Sequence, residues 1–346
     1  MNPVISVSIG SYNRRDWLLR AIRAVAASRL TAPFELCVVL DASTDGSAAA
    51  VRACFTTLPS HISTLLVELP VNSGVGAVHQ ASLEATTAPI AVFIDDDCVP
   101  DPEFLPLLLA QFQQAAATVV GIGGFISTYT TDTLNRRYLG AADPHRPTEA
   151  DFINASFLQR LRLAILPPSH SGVRAVYALV GGAMAFRRSA LLAVGGFDPA
   201  IRFGGFETRL CETLRARFGD ASLLAVPSIV VAHDYHPDLS GTFRRALRAG
   251  AAIGRDFAWR GGIPSLRPNP ALIVAALLAG LLVSPLVAVG SGGVTLGLLY
   301  GRVARGRFPE RALYPFLLLI EETLKDVGFV AGVWRHRREW RQEVAR

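Results

Sequence analysis

Three adjacent carboxylates, Asp95-Asp96-Asp97, follow the apolar run Pro89–Ile94. Like charges side by side repel, and each costs free energy to take out of water. A core strand that ends on them therefore asks for a partner. In an extended segment residues i and i+2 point the same way, so Asp95 and Asp97 can face one site while Asp96 faces another. Carboxylates in this setting suit a hard divalent cation, Mg2+ or Mn2+, that grips phosphate oxygens. The plainer alternative is a capped, solvated turn ahead of Asp101-Pro102. Two further polar groups weigh toward a site: Asp41 at the end of Phe34–Leu40, and Ser11-Tyr12-Asn13 just after Val4–Ile9.

The elements that must position these groups alternate in type. Apolar, β-branched runs at Val4–Ile9, Phe34–Leu40, Thr64–Leu69 and Ile90–Ile94 are separated by helical patterns. The first helix carries Leu18, Leu19, Ile22 and Val25 on one face, with Asp16 placed to cap it. Asp45-Gly46-Ser47 opens a second helix and Gly76–Ala85 forms a third. Such alternation predicts an α/β fold with a parallel, doubly wound sheet. In that architecture ligands sit beyond the carboxyl ends of the strands, where the three polar groups converge. Beyond Asp101-Pro102 the sequence predicts a helix to about Ala117 and a strand over Thr118–Phe125. A mixed insertion follows over 126–172. Val173–Phe186 reads as a strand interrupted by Gly181-Gly182, then come a helix from Glu207 to Phe218 and a strand Leu223–Val231 ending at His233.

At this point the chain resembles the inverting glycosyltransferases of family 2, which have the GT-A fold. "ISVSIGSYNRRDWLLRAIRAV" is similar to that family's opening strand, polar turn and first helix, and "ELCVVLDASTDGS" to its second strand. "NSGVGAVHQASLEATTAPIAVFIDDDC" resembles the approach to its DxD motif, and "GGAMAFRRSALLAVGGFD" its acceptor-side strand and loop. The resemblance covers roughly residues 3–235. It implies a nucleoside-diphosphate sugar as donor and a divalent metal, Mg2+ or Mn2+, as cofactor. Asp41 would meet the base, and Ser11, Tyr12, Asn13 and Arg14 would surround the nucleotide. Asp95 would lie toward ribose and metal with Asp96 beside it, and Asp97 would be the main metal ligand. His233 is either a further metal ligand or a loop histidine near Asp234 and His236.

The chain departs from the family pattern at two places. Gly205-Phe206-Glu207-Thr208 stands where a Glu-Asp pair is usual, which assigns the general base to Glu207, with Asp198 and Asp234 as substitutes. The other reading of Glu207 is an acid favoured by the dipole of the helix it opens. His79-Gln80 stands where many relatives carry Arg-Asn, which removes a positive charge expected near the nucleotide.

Composition and charge set the context. The 346 residues are 51% hydrophobic and 18% charged, and the mean hydropathy of +0.34 is high for a wholly soluble protein. This length accommodates a large α/β domain and a smaller part. Cys37, Cys54, Cys98 and Cys211 lack metal spacing and read as reduced thiols of a cytoplasmic protein. Val4–Ile9 is too short and lacks the basic flank of a signal peptide. Residues 1–240 hold 18 Lys and Arg against 21 Asp and Glu, whereas residues 241–346 hold 16 against 7. The basic excess therefore belongs to the tail. That tail also contains 34 uncharged residues, 268–301, enough at ~1.5 Å each to cross a ~30 Å bilayer core. A second apolar segment, Ala312–Trp334, carries Glu321, Glu322, Lys325 and Asp326 in its middle.

Such a tail favours a membrane surface over nucleic acid. Basic clusters flank every apolar piece, which suits a re-entrant 268–301 with Ala312–Trp334 lying at the interface; two full spans, or a buried helical hairpin, are the alternatives. Arg255-Asp256-Phe257-Ala258-Trp259 echoes a motif of processive synthases in spacing alone. The expected division is a GT-A domain over 1–240, its nucleotide half 1–125 and acceptor half 126–240, followed by a membrane-associating tail over 241–346. The expected activity is inverting, metal-dependent sugar transfer to a hydroxyl acceptor, a cell-surface glycan or a lipid-linked one, at the cytoplasmic face of the membrane. Transfer to a polyprenyl phosphate and a non-catalytic scaffold of glycan assembly stay open beside it.

Overall fold

The computed structural model describes residues 2–142, 172–260 and 309–344, with isolated positions between 280 and 303. Most of the uncharged stretch 268–301 and most of the 126–172 insertion lie outside the described residues. The described chain gathers into two compact units. One holds the sheet and runs through Asp234; the other holds Thr130–Ala142 and the chain from Tyr235 onward.

In the first unit, strands β1 (Ile5–Ser11), β2 (Phe34–Asp41), β3 (Ile62–Leu69) and β4 (Ile90–Asp95) alternate with helices α1 (Arg15–Ala26), α2 (Ser47–Phe55) and α3 (Val75–Ala85). A short β5 (Cys98–Pro100) precedes α4 (Phe104–Gln114) and β6 (Gly121–Thr128). After α5 (Leu134–Ala142), which belongs to the second unit, come β7 (Arg174–Ala175), β8 (Met184–Arg187), α6 (Arg188–Ala193), α7 (Phe206–Phe218) and β9 (Leu223–His233). The sheet order is β3-β2-β1-β4-β8-β6-β9-β5, with β7 also on β9. β8, β5 and β7 oppose the remaining six strands, so the sheet is mostly parallel.

Every residue of β2 and nearly all of β1 and β4 are buried. Helices cover both faces of such strands, which is why they read as continuous apolar runs rather than alternating ones. β3, at the edge, is mostly part-exposed. α1 turns Leu18, Ala21, Ile22 and Val25 inward, and each of its larger apolar side chains contributes about 1.5–3 kcal/mol of burial. Asp16 sits in its first turn and does not cap it. The helix start is held instead from another segment, where Asp45 Oδ2 accepts from the Arg15 N–H at 3.0 Å. The same carboxylate accepts from the Ser47 N–H at 3.1 Å through Oδ1, so one acid serves the starts of α1 and α2.

Other expectations shift. α4 ends at Gln114 rather than Ala117 and starts beyond Pro102, with Asp101 accepting from the Glu103 N–H at 2.9 Å. Val173–Phe186 is broken at Gly181-Gly182 as expected, by a 3-10 turn over Gly181–Ala183, but its first half keeps only the two-residue β7 before β8. Phe93, Phe186, Phe197, Phe206 and Leu210 form the centre of the core on that side.

The second unit is helical where described. α8 (Leu239–Arg260) packs along α9 (Tyr314–Val344). Arg255 of the Arg-Asp-Phe-Ala-Trp stretch is buried in α8 and pairs with Asp256 at 3.1 Å. Among the described residues, no helix is long and apolar enough to cross a membrane.

Candidate functional site

Parallel register brings the strand ends level. Gly10 lies beside Asp95, Ser11 beside Leu40, and Asp41 beside Leu69. Past Ser11 the chain must turn sharply, and Asn13 takes a left-handed φ of 53°, a conformation Asn tolerates better than most residues. Its side-chain oxygen accepts from the Thr44 N–H at 2.7 Å and its own N–H donates to Ser43 Oγ at 3.1 Å. The turns after β1 and β2 are thereby latched together. Ala42, in the second turn, is also left-handed at φ 58°, with no side-chain amide to compensate. Tyr12 is exposed on the outside of the first turn.

After β4 the three carboxylates separate. Asp95 ends the strand, Asp96 and Asp97 form a tight turn, and β5 doubles back along β9 with Cys98 opposite His233. That antiparallel pairing is what carries His233 to the acids: its Nε2 is 3.2 Å from Asp97 Oδ1. Donor atoms of Asp95, Asp97, Cys98 and His233 all lie within 4.8 Å of one another. Burial, and then the charges of Asp95 and Asp97, push the Cys98 thiol well above its ordinary range. Hard cations select oxygen over sulfur, and the two carboxylates with the imidazole make an O,O,N donor set that fits Mn2+ or Mg2+.

Asp96 faces the other way, as the i, i+2 argument requires. It is buried and accepts from Ser11 Oγ at 2.7 Å and from Arg14 Nη1 at 2.6 Å. Burial raises its pKa, Arg14 opposes the rise and the neighbouring charge of Asp97 adds to it. Arg14 Nη2 reaches Asp97 Oδ2 at 2.8 Å, so one guanidinium bridges both acids, and its carbon lies 3.8 Å from the centre of the Trp17 ring. Ser11, Arg14, Asp95, Asp96, Asp97 and His233 thus form one cluster.

Asp41 is buried in a cradle of its own. Oδ1 accepts from the Ser73 N–H at 2.6 Å, and Oδ2 from the Gly74 N–H at 2.9 Å and Asn72 Nδ2 at 3.0 Å. Its carboxylate fixes the entry to α3. Arg202 continues the chain of bonds, donating to Asn72 Oδ1 at 2.8 Å.

The two substitute bases are committed elsewhere. Asp234 is buried against Arg20 at 2.6 Å, and its N–H donates to Asp97 O at 2.8 Å. Asp198 pairs with Arg209 at 3.2 Å and accepts from the Ala200 N–H at 2.9 Å. Glu207 is half-buried in the first turn of α7, after the left-handed Gly204 and Gly205. The turn Gly181–Ala183 ties that helix start to the acids. A Cβ on Gly181 would meet the Phe206 ring at 3.5 Å, and one on Gly182 would lie 3.2 Å from Asp95 Oδ2 and 2.8 Å from Cys98 Sγ. A side chain is thus crowded out at Gly182, whereas one at Gly181 would make ordinary contact with Phe206.

His79 does not replace a charge beside a ligand. It is buried in the core, its ring 5.1, 5.1 and 4.8 Å from those of Phe93, Phe197 and Phe206. Burial pulls its pKa down to about 3, which keeps it neutral, and neither ring nitrogen has a hydrogen-bond partner among the described residues. Gln80 accepts from the Phe197 N–H at 2.9 Å.

Sequence reasoning missed Arg20 and the Asn72–Gly74 loop. The loop carried a signal, since it too follows a strand end at the ligand edge; Arg20, mid-helix, carried none.

Residues 6–194, more than half the chain, match the family described as glycosyl transferase family 2. An uncharacterised glycosyltransferase of Nostoc sp. is 28% identical over 195 residues, 56% of this chain and 54% of that protein. The chain spans about half the length of that curated relative. Among solved structures, a mannosyltransferase from Pyrobaculum calidifontis in complex with GDP-Man and Mn2+ is similar with a TM-score of 0.57 at 17% identity, over 97% of this chain and 88% of that chain. A glucosyl-3-phosphoglycerate synthase from Mycobacterium tuberculosis, in complex with Mn2+, UDP and glucosyl-3-phosphoglycerate, gives a TM-score of 0.47 at 22% identity, over 72% of this chain and 78% of that chain. The first of these likenesses establishes the fold as GT-A-like.

Proposed function

The chain belongs to glycosyl transferase family 2, and from that premise we propose that it moves a sugar from a nucleoside-diphosphate donor to a hydroxyl acceptor with inversion. The observation that carries this reading is the convergence of Asp95, Asp97 and His233 donor atoms within 4.8 Å at the ligand edge of a parallel sheet. These three residues would hold the cation, which would supply positive charge against the departing diphosphate. Asp97 and His233 are fixed by the β5–β9 pairing and Asp95 by β4. Arg14, already spanning Asp96 and Asp97, supplies positive charge at the nucleotide side. Ser11 orients Asp96, and Asp41 orders the loop that borders the base.

The acceptor oxygen forms its bond to the anomeric carbon as the bond to the diphosphate oxygen breaks on the opposite face. Glu207 takes the acceptor's proton. The ion pairs of Asp198 with Arg209 and of Asp234 with Arg20 favour Glu207 over these two acids for that role. A polyanionic donor, a basic tail of 16 Lys and Arg against 7 Asp and Glu and an uncharged stretch over 268–301 support work on a lipid-linked or cell-surface glycan at the cytoplasmic face of the membrane.

Calorimetric titration of UDP, GDP, dTDP and CDP, each with and without Mn2+, tests the reading on the wild type and on Glu207→Gln. One nucleotide is expected to bind far more tightly with Mn2+, equally in both proteins, while the variant loses transfer to hydroxyl acceptors. Failure of every nucleotide to bind overturns the reading. Transfer undiminished in the variant would mean that the acceptor is already an anion, such as a polyprenyl phosphate.

A further inference from the structure

A surface helix ordinarily buries its apolar stripe and shows its charges to water. α9 departs from this: beside buried apolar residues such as Tyr314 and Leu318 it also buries two acids. Glu321 and Glu322, in its middle, are 5% and 7% exposed. Glu321 accepts from Tyr138 Oη of α5 at 2.6 Å and pairs with Lys325 at 2.8 Å, and Lys325 also reaches Glu322 at 3.1 Å. The side that holds these acids is also the side on which α8 packs. There, a Cβ on Gly250 would lie 1.9 Å from Lys325 O, and one on Gly328 would lie 2.1 Å from Leu247 O, so the two backbones touch.

A second set of apolar residues points out. Leu313, Phe316, Ile320, Val327, Val330 and Trp334 are 51, 51, 44, 54, 66 and 63% exposed. They recur in steps of three, four, seven, three and four, which is one face of a helix, and they extend for about 32 Å. An apolar face of that length, backed by buried acids, is adapted to a non-aqueous neighbour.

Charge selects which neighbour. Residues 241–346 carry 16 Lys and Arg against 7 Asp and Glu, and Arg244, Arg248, Arg335 and Arg337 are exposed on the two helices. Two copies of so basic a unit repel each other, whereas an anionic bilayer attracts it. A one-sided stripe, with acids on the opposite side and no described helix suited to crossing, fits a helix lying in the interfacial plane.

We propose that α9 lies along an anionic membrane surface with its outer stripe, Leu313 to Trp334, set into the boundary between headgroups and acyl chains. The proposal deepens the membrane placement given above and rests on it for location, but not on the identity of the reaction.

The test is nitroxide labelling of Ile320→Cys, Val327→Cys and Val330→Cys in the full chain, bound to vesicles of phosphatidylcholine and phosphatidylglycerol. The four native cysteines are buried, and an Arg52→Cys label on the exposed side of α2 serves as the aqueous control. Oxygen is expected to collide with the three outer labels several-fold more than a polar nickel chelate does. The ratio should be similar along the helix and reversed at position 52. Ready access of the nickel chelate to the outer labels overturns the proposal. Shielding from both reagents, as a second copy would produce, overturns it, and so does a ratio that peaks midway as in a spanning helix. No nucleotide enters the measurement, so its failure leaves the reaction assignment standing, and failure of nucleotide binding leaves this result readable.

Discussion

At the amino edge of the sheet Glu35 is buried, and its oxygens accept from Ser6 Oγ, from the Thr87 N–H at 2.9 Å and hydroxyl at 2.7 Å, and from the Ala88 N–H at 3.2 Å. At the carboxyl edge of the same strands, Asp95 and Asp97 share a space with His233 while Arg14 spans Asp96 and Asp97. Glu35 faces only neutral donors that belong to neighbouring strand starts, so its bonds close on themselves. The acids of the other edge bring oxygen atoms together in one place, which costs repulsion unless a cation is there. The same residue chemistry closes on itself at one end and gathers donor atoms at the other, and the distinction lies in whether donor atoms diverge or converge.

The comparison can be broken from either end. Asp97→Asn should cut Mn2+ affinity and sugar transfer by more than about 100-fold, beyond the loss expected for an outer-shell partner. Its unfolding free energy in urea should stay near that of the wild type; a large loss there would place Asp97 with Glu35 as a structural acid. Arg20→Met removes the ion pair at 2.6 Å to the buried Asp234, and unfolding in urea should show a loss of about 2 kcal/mol. That is less than for a wholly buried pair, because Arg20 keeps some contact with water. Since the Asp234 N–H holds Asp97 O at 2.8 Å, Mn2+ binding followed by electron paramagnetic resonance should weaken in the same variant. Unchanged Mn2+ affinity would detach Arg20 from the site.

Glu35→Gln should cost about 1–2 kcal/mol and leave nucleotide affinity untouched. Burial would raise the pKa of Glu35, but the bonds from Ser6, Thr87 and Ala88 outweigh it and hold the carboxyl below its usual value. A depressed carboxyl contributes stability that is present above its unfolded pKa and disappears as pH falls through the folded one. The wild type should therefore lose, on acidification below about 4.5, a share of stability that the variant lacks at every pH. His79→Leu is the smallest change and has the opposite sign, a gain of about 1 kcal/mol at pH 7 from removing a buried, unpartnered imidazole. The unfolded chain takes up a proton near 6.5 and the folded one only at about 3, so wild-type stability drops as pH falls between those values. Urea midpoints for the variant should be flatter over that window; equal slopes would mean that His79 has a proton partner after all.

Much of this was legible in the chain itself. Apolar runs such as Phe34–Leu40 and Ile90–Ile94 had to be strands, because their neighbours repeat at helical spacing and buried parallel strands carry no polar alternation. Acids at the ends of those runs had to sit where ligands bind, since a doubly wound sheet has one such edge. Sequence therefore determined the fold class, the edge and the roles open to Asp41, Asp95, Asp96 and Asp97. It could not reveal that a three-residue strand, Cys98–Pro100, would pair with β9 and bring His233 onto Asp97, for contacts 135 residues apart leave no local pattern. Nor could it show that Asp234 is claimed by Arg20, or that His79 turns into a cage of phenylalanines rather than toward the nucleotide side. The acids of Ala312–Trp334 looked like an interruption of an apolar helix; packing against Tyr138 and α8 makes them its interior. Periodicity fixes which residues share a face, because it follows from backbone geometry alone. Which face is turned inward, and which acids meet, depends on what the rest of the chain places beside them.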